Sequence, residues 1–183
     1  IYKKLKTEII TCKIDPGEVL AESKLAERVE VSKNPVREAL VSLQEEGLVE
    51  VIPRVGYKIA SINLGDLHEV FELRVLLEGE AAALAAKRAD KEEIAKFREE
   101  RKEKWLRMEN NGMKDVDYLS YHDSFHLGLA KLTQNKRLCR FISKLLSETT
   151  RLRMSDPLMS TSGLEEEHKD TEKLLDALEE KDA

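Results

Sequence analysis

The chain has 183 residues and a formal net charge of −5; 41% of its side chains are hydrophobic, 37% charged and 5% aromatic, with eight glycines and two cysteines. That length holds two small domains. The composition describes a helix-rich protein and not a disulfide framework or a membrane-embedded chain: no long uncharged apolar run or signal peptide is present, and two isolated cysteines fit reduced thiols in a cytoplasmic protein. The acidic balance argues against a general nucleic-acid coat but leaves room for a local basic surface.

Tyr2 to Ile10 read as an amphipathic helix, closed by the Pro and Gly of Asp15-Pro16-Gly17. Ala21 to Val29 make a short helix with Leu25 and Val29 inward, followed by a tight turn through Glu30 and Val31. The next helix starts near Lys33. Ser32 sits where a side-chain oxygen can cap free N–H groups, and Pro35 is tolerated in a first turn, where its missing donor has no intrahelical partner. Val36, Ala39, Leu40 and Leu43 share one face, and Gly47 supplies a left-handed stop. Lys33, Asn34 and Arg37 are left outside, as cations and amides suited to bases and phosphates. Taken alone, an ordinary solvated amphipathic helix reads the same way.

Its neighbours favour DNA. The short helix before it gives helix-turn-helix spacing, and two β-rich runs follow it, Val49 to Pro53 and Gly56 to Ala60, joined at Arg54-Val55-Gly56 as a hairpin wing. Residues 1–62 are thus predicted to form a winged helix-turn-helix. Lys3, Lys4, Lys6, Lys33, Arg37, Arg54 and Lys58 can share one basic face. A single such head binds weakly, so a homodimer is expected.

From Asn63 the pattern becomes helical throughout, and residues 63–183 are predicted to form an all-α bundle, giving a mainly α chain. Its helices run from Leu64 through the alanine-rich run Ala81 to Ala86, then Lys91 to Glu109, Val116 to Leu132, Arg137 to Met154 and Leu164 to Glu180, with a loop at Asn110-Asn111-Gly112. Within it, His122 and His126 stand one helical turn apart with Asp123 near the same face, and His168 follows Glu165-Glu166-Glu167. Such ligands on neighbouring helices suit a divalent ion of the zinc, nickel or manganese class, while a satisfied or exposed His pair is the plainer alternative. Arg74 can fork an organic carboxylate, or pair with Glu78 one turn on. His68 is expected at the surface, Trp105 as a packing anchor, and Glu99 to Lys104 as a solvated face.

The run Asp15-Pro16-Gly17, Leu25-Ala26, Val31-Ser32-Lys33, Pro35-Val36-Arg37-Glu38-Ala39-Leu40, Glu46-Gly47-Leu48-Val49 and Arg54-Val55-Gly56-Tyr57 closely resembles the DNA-binding domain of the GntR family of bacterial transcriptional regulators. The resemblance implies DNA contacts from Ser23 and Lys24, from Ser32, Lys33, Asn34 and Arg37, and from a wing carrying Arg54 and Gly56 that follows the minor groove. Lys33 stands where the family usually has Arg, and Glu30 where it often has Gly.

Downstream, Phe71-Glu72-Leu73-Arg74 with Leu77-Glu78, Phe125-His126 with Leu132 and Asn135, and Glu167-His168 with Leu174-Leu175-Asp176-Ala177-Leu178 and Lys181-Asp182-Ala183 are similar to the FCD effector domain of the FadR-like subgroup. Many such domains bind a metal through a carboxylate, a His one turn later and two further His residues. His126 and His168 match two of these positions, His122 lies at the carboxylate position, and Asp123 is one residue out of register. The fourth ligand is expected beyond Ala183, and the natural N-terminus before Ile1. The implied protein is no enzyme but a one-component regulator, usually a repressor, that binds operator DNA as a dimer and senses a small organic acid, with Arg74 and the metal at the effector site. Two other readings stand beside it. One is a regulator for which the ion itself is the signal; the other is a metal-dependent hydrolase built on His122, His126 and His168.

Overall fold

The structure is a computed structural model that describes residues 1–63, 65, 67–112, 115–155 and 164–180. Leu64 and Asp66, read above as helical, and the Lys181-Asp182-Ala183 motif lie outside those residues. The described residues form eight helices and one three-stranded sheet. They fall into two compact units, Ile1–Gly65 with Ser147–Leu158, and Asp66–Leu146 with Met159–Ala183.

The first unit contains α1 (Tyr2–Ile10), β1 (Val19–Leu20), α2 (Glu22–Arg28), α3 (Lys33–Glu45), β2 (Val49–Ile52) and β3 (Gly56–Ile59). Leu5 and Ile9 of α1, Leu25 of α2, and Val36, Leu40 and Leu43 of α3 bury against Val49 and Ile59 of the sheet. Burial of each such side chain stabilises the unit by roughly 1.5–3 kcal/mol. The sheet is antiparallel in the order β1-β3-β2, with Val51 opposite Tyr57 and Leu20 opposite Tyr57 on the other side. β1 is only two residues long, too short to carry a sequence signal.

Two local features differ from the sequence reading. Ser32 does occupy the N-cap position of α3 with extended backbone, but its hydroxyl makes no capping hydrogen bond. An N-cap oxygen accepts from the second or third helical N–H, and Pro35 removes the third, which leaves only that of Asn34 within reach. At the other end α3 stops as expected. Leu48 N–H donates to the Leu43 carbonyl and Gly47 N–H to that of Gln44, both at 2.9 Å, with Gly47 left-handed at φ 76°.

The turn between α2 and α3 places Glu30 at φ 54°, a conformation that costs a residue with a Cβ about 1 kcal/mol or more. In the wing, Gly56 sits at φ 147°, and a Cβ there would lie 2.4 Å from the Leu20 backbone oxygen. Urea unfolding should therefore separate the two positions. Glu30→Gly is expected to raise stability by about 1 kcal/mol, and Gly56→Ala to lower it by about 2–3 kcal/mol. Equal midpoints for wild type and both variants would contradict these backbone assignments.

The second unit holds α4 (Leu67–Arg88), α5 (Lys91–Asn110), α6 (Asp115–Leu132), the first part of α7 (Lys136–Ser155) and α8 (Leu164–Glu180). α6 packs against α4 and α5, and α8 against the same two helices. Small residues allow the close approaches: Ala81 of α4 is fully buried in one cluster with Ala130 of α6. A Cβ on Gly128 would fall 2.0 Å from the Phe97 ring, so only glycine lets α5 lay that ring against α6. α5 opens with a capping box between Asp90 and Glu93. Its buried stripe is Ile94, Phe97, Arg101, Trp105 and Met108. Arg101 is 2% exposed, so the stretch from Glu99 to Lys104 is not a uniformly solvated face. Among the described residues no helix is long and apolar enough to cross a membrane.

Candidate functional site

On the first unit, burying Val36, Ala39, Leu40 and Leu43 turns the opposite side of α3 outward, and Ser32, Lys33, Asn34 and Arg37 are all exposed. Lys24 of α2 and Arg54 at the hairpin tip are exposed as well, while Ser23 and Gly56 are half-buried. Arg37 does not hang freely. Its Nε donates to Glu22 Oε1 at 2.9 Å and its Nη2 to Glu22 Oε2 at 2.8 Å, a bidentate pair between α3 and the start of α2. The hydrogen bonds from Arg37 hold the Glu22 carboxyl below its usual range, and the same bonds raise the Arg37 guanidinium. Glu22 carried no sequence signal as a functional residue, because its partner lies fifteen residues on.

The clamp fixes the guanidinium's direction and partly cancels its charge. Glu22→Gln should strengthen binding to random-sequence duplex DNA several-fold at low salt while reducing the ratio of specific to non-specific affinity. Electrophoretic mobility shifts on both duplexes measure it. An unchanged ratio would show that the pair has no part in readout.

On the second unit, the imidazoles of His122 and His126 lie side by side, ring centroids 4.5 Å apart. Each presents Nδ1 to a carboxylate. His126 Nδ1 lies 2.6 Å from Glu78 Oε2, and His122 Nδ1 contacts Glu167 Oε1. A carboxylate at Nδ1 places the proton there and the lone pair on Nε2, the tautomer that ligates metals. Arg74, 6% exposed, donates from Nε to the other oxygen of Glu78 at 2.6 Å, so the ion pair weighed from the sequence is formed. Burial pushes the Glu78 carboxyl up, but the hydrogen bonds and charges of His126 and Arg74 outweigh it and hold the group at about 2.

His168 is placed differently. Its ring stacks on Trp105, centroids 4.1 Å apart and planes within 6°, so Trp105 is a packing anchor with a specific partner. Its Nδ1 lies 2.6 Å from the Tyr121 hydroxyl, which itself accepts from Arg101 Nη2 at 2.7 Å. Burial pushes the Tyr121 phenol up to about 12, so it stays protonated and donates to His168. His168 then carries its proton on Nε2, opposite to the other two. Burial also lowers the His168 pKa. Asp123 is half-buried. Among the described residues no three His, Cys, Asp or Glu side chains are gathered as a metal-ligand set. The His122–His126 pair has ligand chemistry; His168 and Asp123 are not drawn to it. His68 reaches Glu72 Oε1 at 3.2 Å on the exposed side of α4, and Cys12 and Cys139 are free thiols.

A winged helix-turn-helix unit and an all-helical unit with a buried His and carboxylate centre, in one chain, define a class of two-domain DNA-binding proteins. Comparison with known families places the chain within it: residues 1–59 match the bacterial regulatory proteins of the gntR family, and residues 69–183 match the FCD domain. The chain belongs to the gntR family and carries an FCD domain. This is a family of regulators and not of enzymes, which removes the hydrolase reading of His122, His126 and His168.

The chain is 32% identical over 137 residues to YdhC of Bacillus subtilis (strain 168), an uncharacterized HTH-type transcriptional regulator, covering 75% of this chain and 61% of that protein. It is 27% identical over 153 residues to the HTH-type transcriptional repressor RspR of Escherichia coli (strain K12), covering 84% of this chain and 66% of the relative. Among solved structures, E. coli McbR/YncC superposes with a TM-score of 0.79 at 25% identity, over 99% of this chain and 85% of that one. The chain spans about three fifths of the length of the relatives it matches.

Proposed function

We propose that the protein is a ligand-responsive transcriptional regulator, acting as a repressor, that binds a two-fold symmetric operator as a homodimer. The observation that carries this reading is α3: its N-terminal turn is exposed and polar, its remaining face is core, and the β2–β3 hairpin stands in the same unit. In that arrangement α3 enters the major groove with Lys33, Asn34 and Arg37 foremost, and the wing carries Arg54 and Gly56 to the minor groove. A second copy of the chain fits the apolar surface that α4 leaves uncovered, where Leu73, Val75 and Leu76 are 49%, 73% and 68% exposed.

The test is operator binding by variants. Arg37→Ala is expected to weaken binding to the operator by about ten- to a hundredfold through loss of a base contact. Lys33→Ala should weaken operator and random DNA alike. Unchanged binding in both variants overturns the placement of α3.

We further propose that the FCD domain senses a small organic acid beside a divalent ion. His122 and His126 would hold the ion; His168, which the family resemblance also assigns, would have to give up its hydrogen bond with Tyr121 to join them, and Asp123 stands one residue out of the family's register. The ion would supply a positive platform for an effector carboxylate. Arg74 and His126 already share Glu78, so an effector carboxylate at this point competes with an internal one for the same donors.

Elemental analysis of wild type and His126→Ala after gentle purification, paired with operator binding, tests this. The variant should lose the metal and the response to organic acids while keeping its DNA affinity. Release of DNA by metal alone, with no effect of acids, would assign the signal to the ion. A metal-free wild type together with a responsive variant would leave the His122–His126 pair as a buried polar cluster.

A further inference from the structure

α7 is one unbroken helix whose two ends serve different units. Leu138, Ile142 and Leu146 are buried with Ala81 and Ala130 in the core of the helical unit, whereas the residues from Ser147 onward belong to the DNA-facing unit. Arg151 lies about 14 Å further along the axis than Ile142. A packed helix shifts as a body, so a displacement at Ile142 arrives at that end.

Arg151 holds the end in place. It is 4% exposed, and its Nη2 donates to the carbonyl of Ala60, the residue that follows β3. The Cys12 thiol donates to the Arg151 backbone carbonyl at 3.5 Å. Nε is buried with no hydrogen-bond partner, and burial lowers the pKa of the guanidinium. A cation so placed is costly, and a leucine or methionine fills a similar volume without that cost. What an apolar side chain cannot supply is the bond to Ala60.

From Ala60 the hydrogen bonds run on to α3. Ala60 N–H donates to the Leu48 carbonyl at 3.1 Å, and Leu48 N–H donates to the carbonyl of Leu43, in the last turn of α3, at 2.9 Å. We propose that α7 is the arm that carries a change in the helical unit to the DNA-facing unit, with Arg151 as its latch: through Ala60 the guanidinium grips the end of the wing strand, and through Leu48 the end of α3. The arm works whichever ligand the helical unit takes, so it stands or falls apart from the effector reading.

Hydrogen–deuterium exchange of the full chain, read by mass spectrometry on peptides from residues 48–60, tests the proposal in a double-mutant cycle of Ile142→Val and Arg151→Met. Ile142→Val trims one methyl group from the core of the helical unit. In the wild-type background it is expected to speed exchange at residues 48–60 by about three- to tenfold; in the Arg151→Met background it should leave that exchange unchanged. A side chain that only supports local packing makes the two effects additive, so an equal acceleration in both backgrounds overturns the latch. Should Arg151→Met not fold, Ile142→Val alone decides the matter: exchange at residues 48–60 as slow as in wild type overturns the arm.

Discussion

Buried positive charge is the constraint around which the helical unit is organised. Arg74 and Arg101 both sit inside it, each less than a tenth exposed, and transfer of an uncompensated cation into such surroundings costs several kcal/mol. Arg74 meets that cost with Glu78, which in turn fixes His126. Arg101 meets it only in part, with two aromatic faces, a phenol and a hydroxyl. The first solution yields a closed polar centre, and the second leaves a buried cation with two donors, Nε and Nη1, that meet no acceptor.

The DNA-facing unit follows a different rule. Residues 1–65 carry as many acidic as basic side chains, so attraction to a phosphate backbone has to come from where the charges stand. The clamp between Glu22 and Arg37 is the clearest instance. It offsets part of the cation's charge with a local carboxylate and holds a planar group in one direction.

Much of this was legible in the sequence because the relevant signals are periodic or local. Helical spacing of Val36, Leu40 and Leu43 placed α3, Gly47 its stop, and Arg54-Val55-Gly56 the wing. The helices of the second unit emerged within three residues of the expected bounds. What escaped has physical causes. β1 gains its hydrogen bonds from β3, nearly forty residues away, and two residues carry no period. Ser32 has the residue type of a cap, yet one of the two donors within its reach is missing at Pro35. Arg101 was read with its charged neighbours, although the spacing Ile94, Phe97, Arg101, Trp105 and Met108 sets it in the apolar stripe; composition concealed what periodicity contained. The opposite tautomers of His126 and His168 depend on Glu78 and Tyr121, which only the folded chain brings to them.

α6 connects these features. One of its faces carries His122 and His126, another lines a cavity beside α5 with Ser124, Leu127 and Gly128, and between them Tyr121 and Phe125 touch Arg101. Tyr121 accepts from Arg101 and donates to His168, so any change in the acceptors around Arg101 alters the polarisation of that phenol and of the imidazole beyond it. Gly128 and Ala130 bring the same helix close to Phe97 and Ala81, so the polar groups on its different faces stand on one tightly packed element.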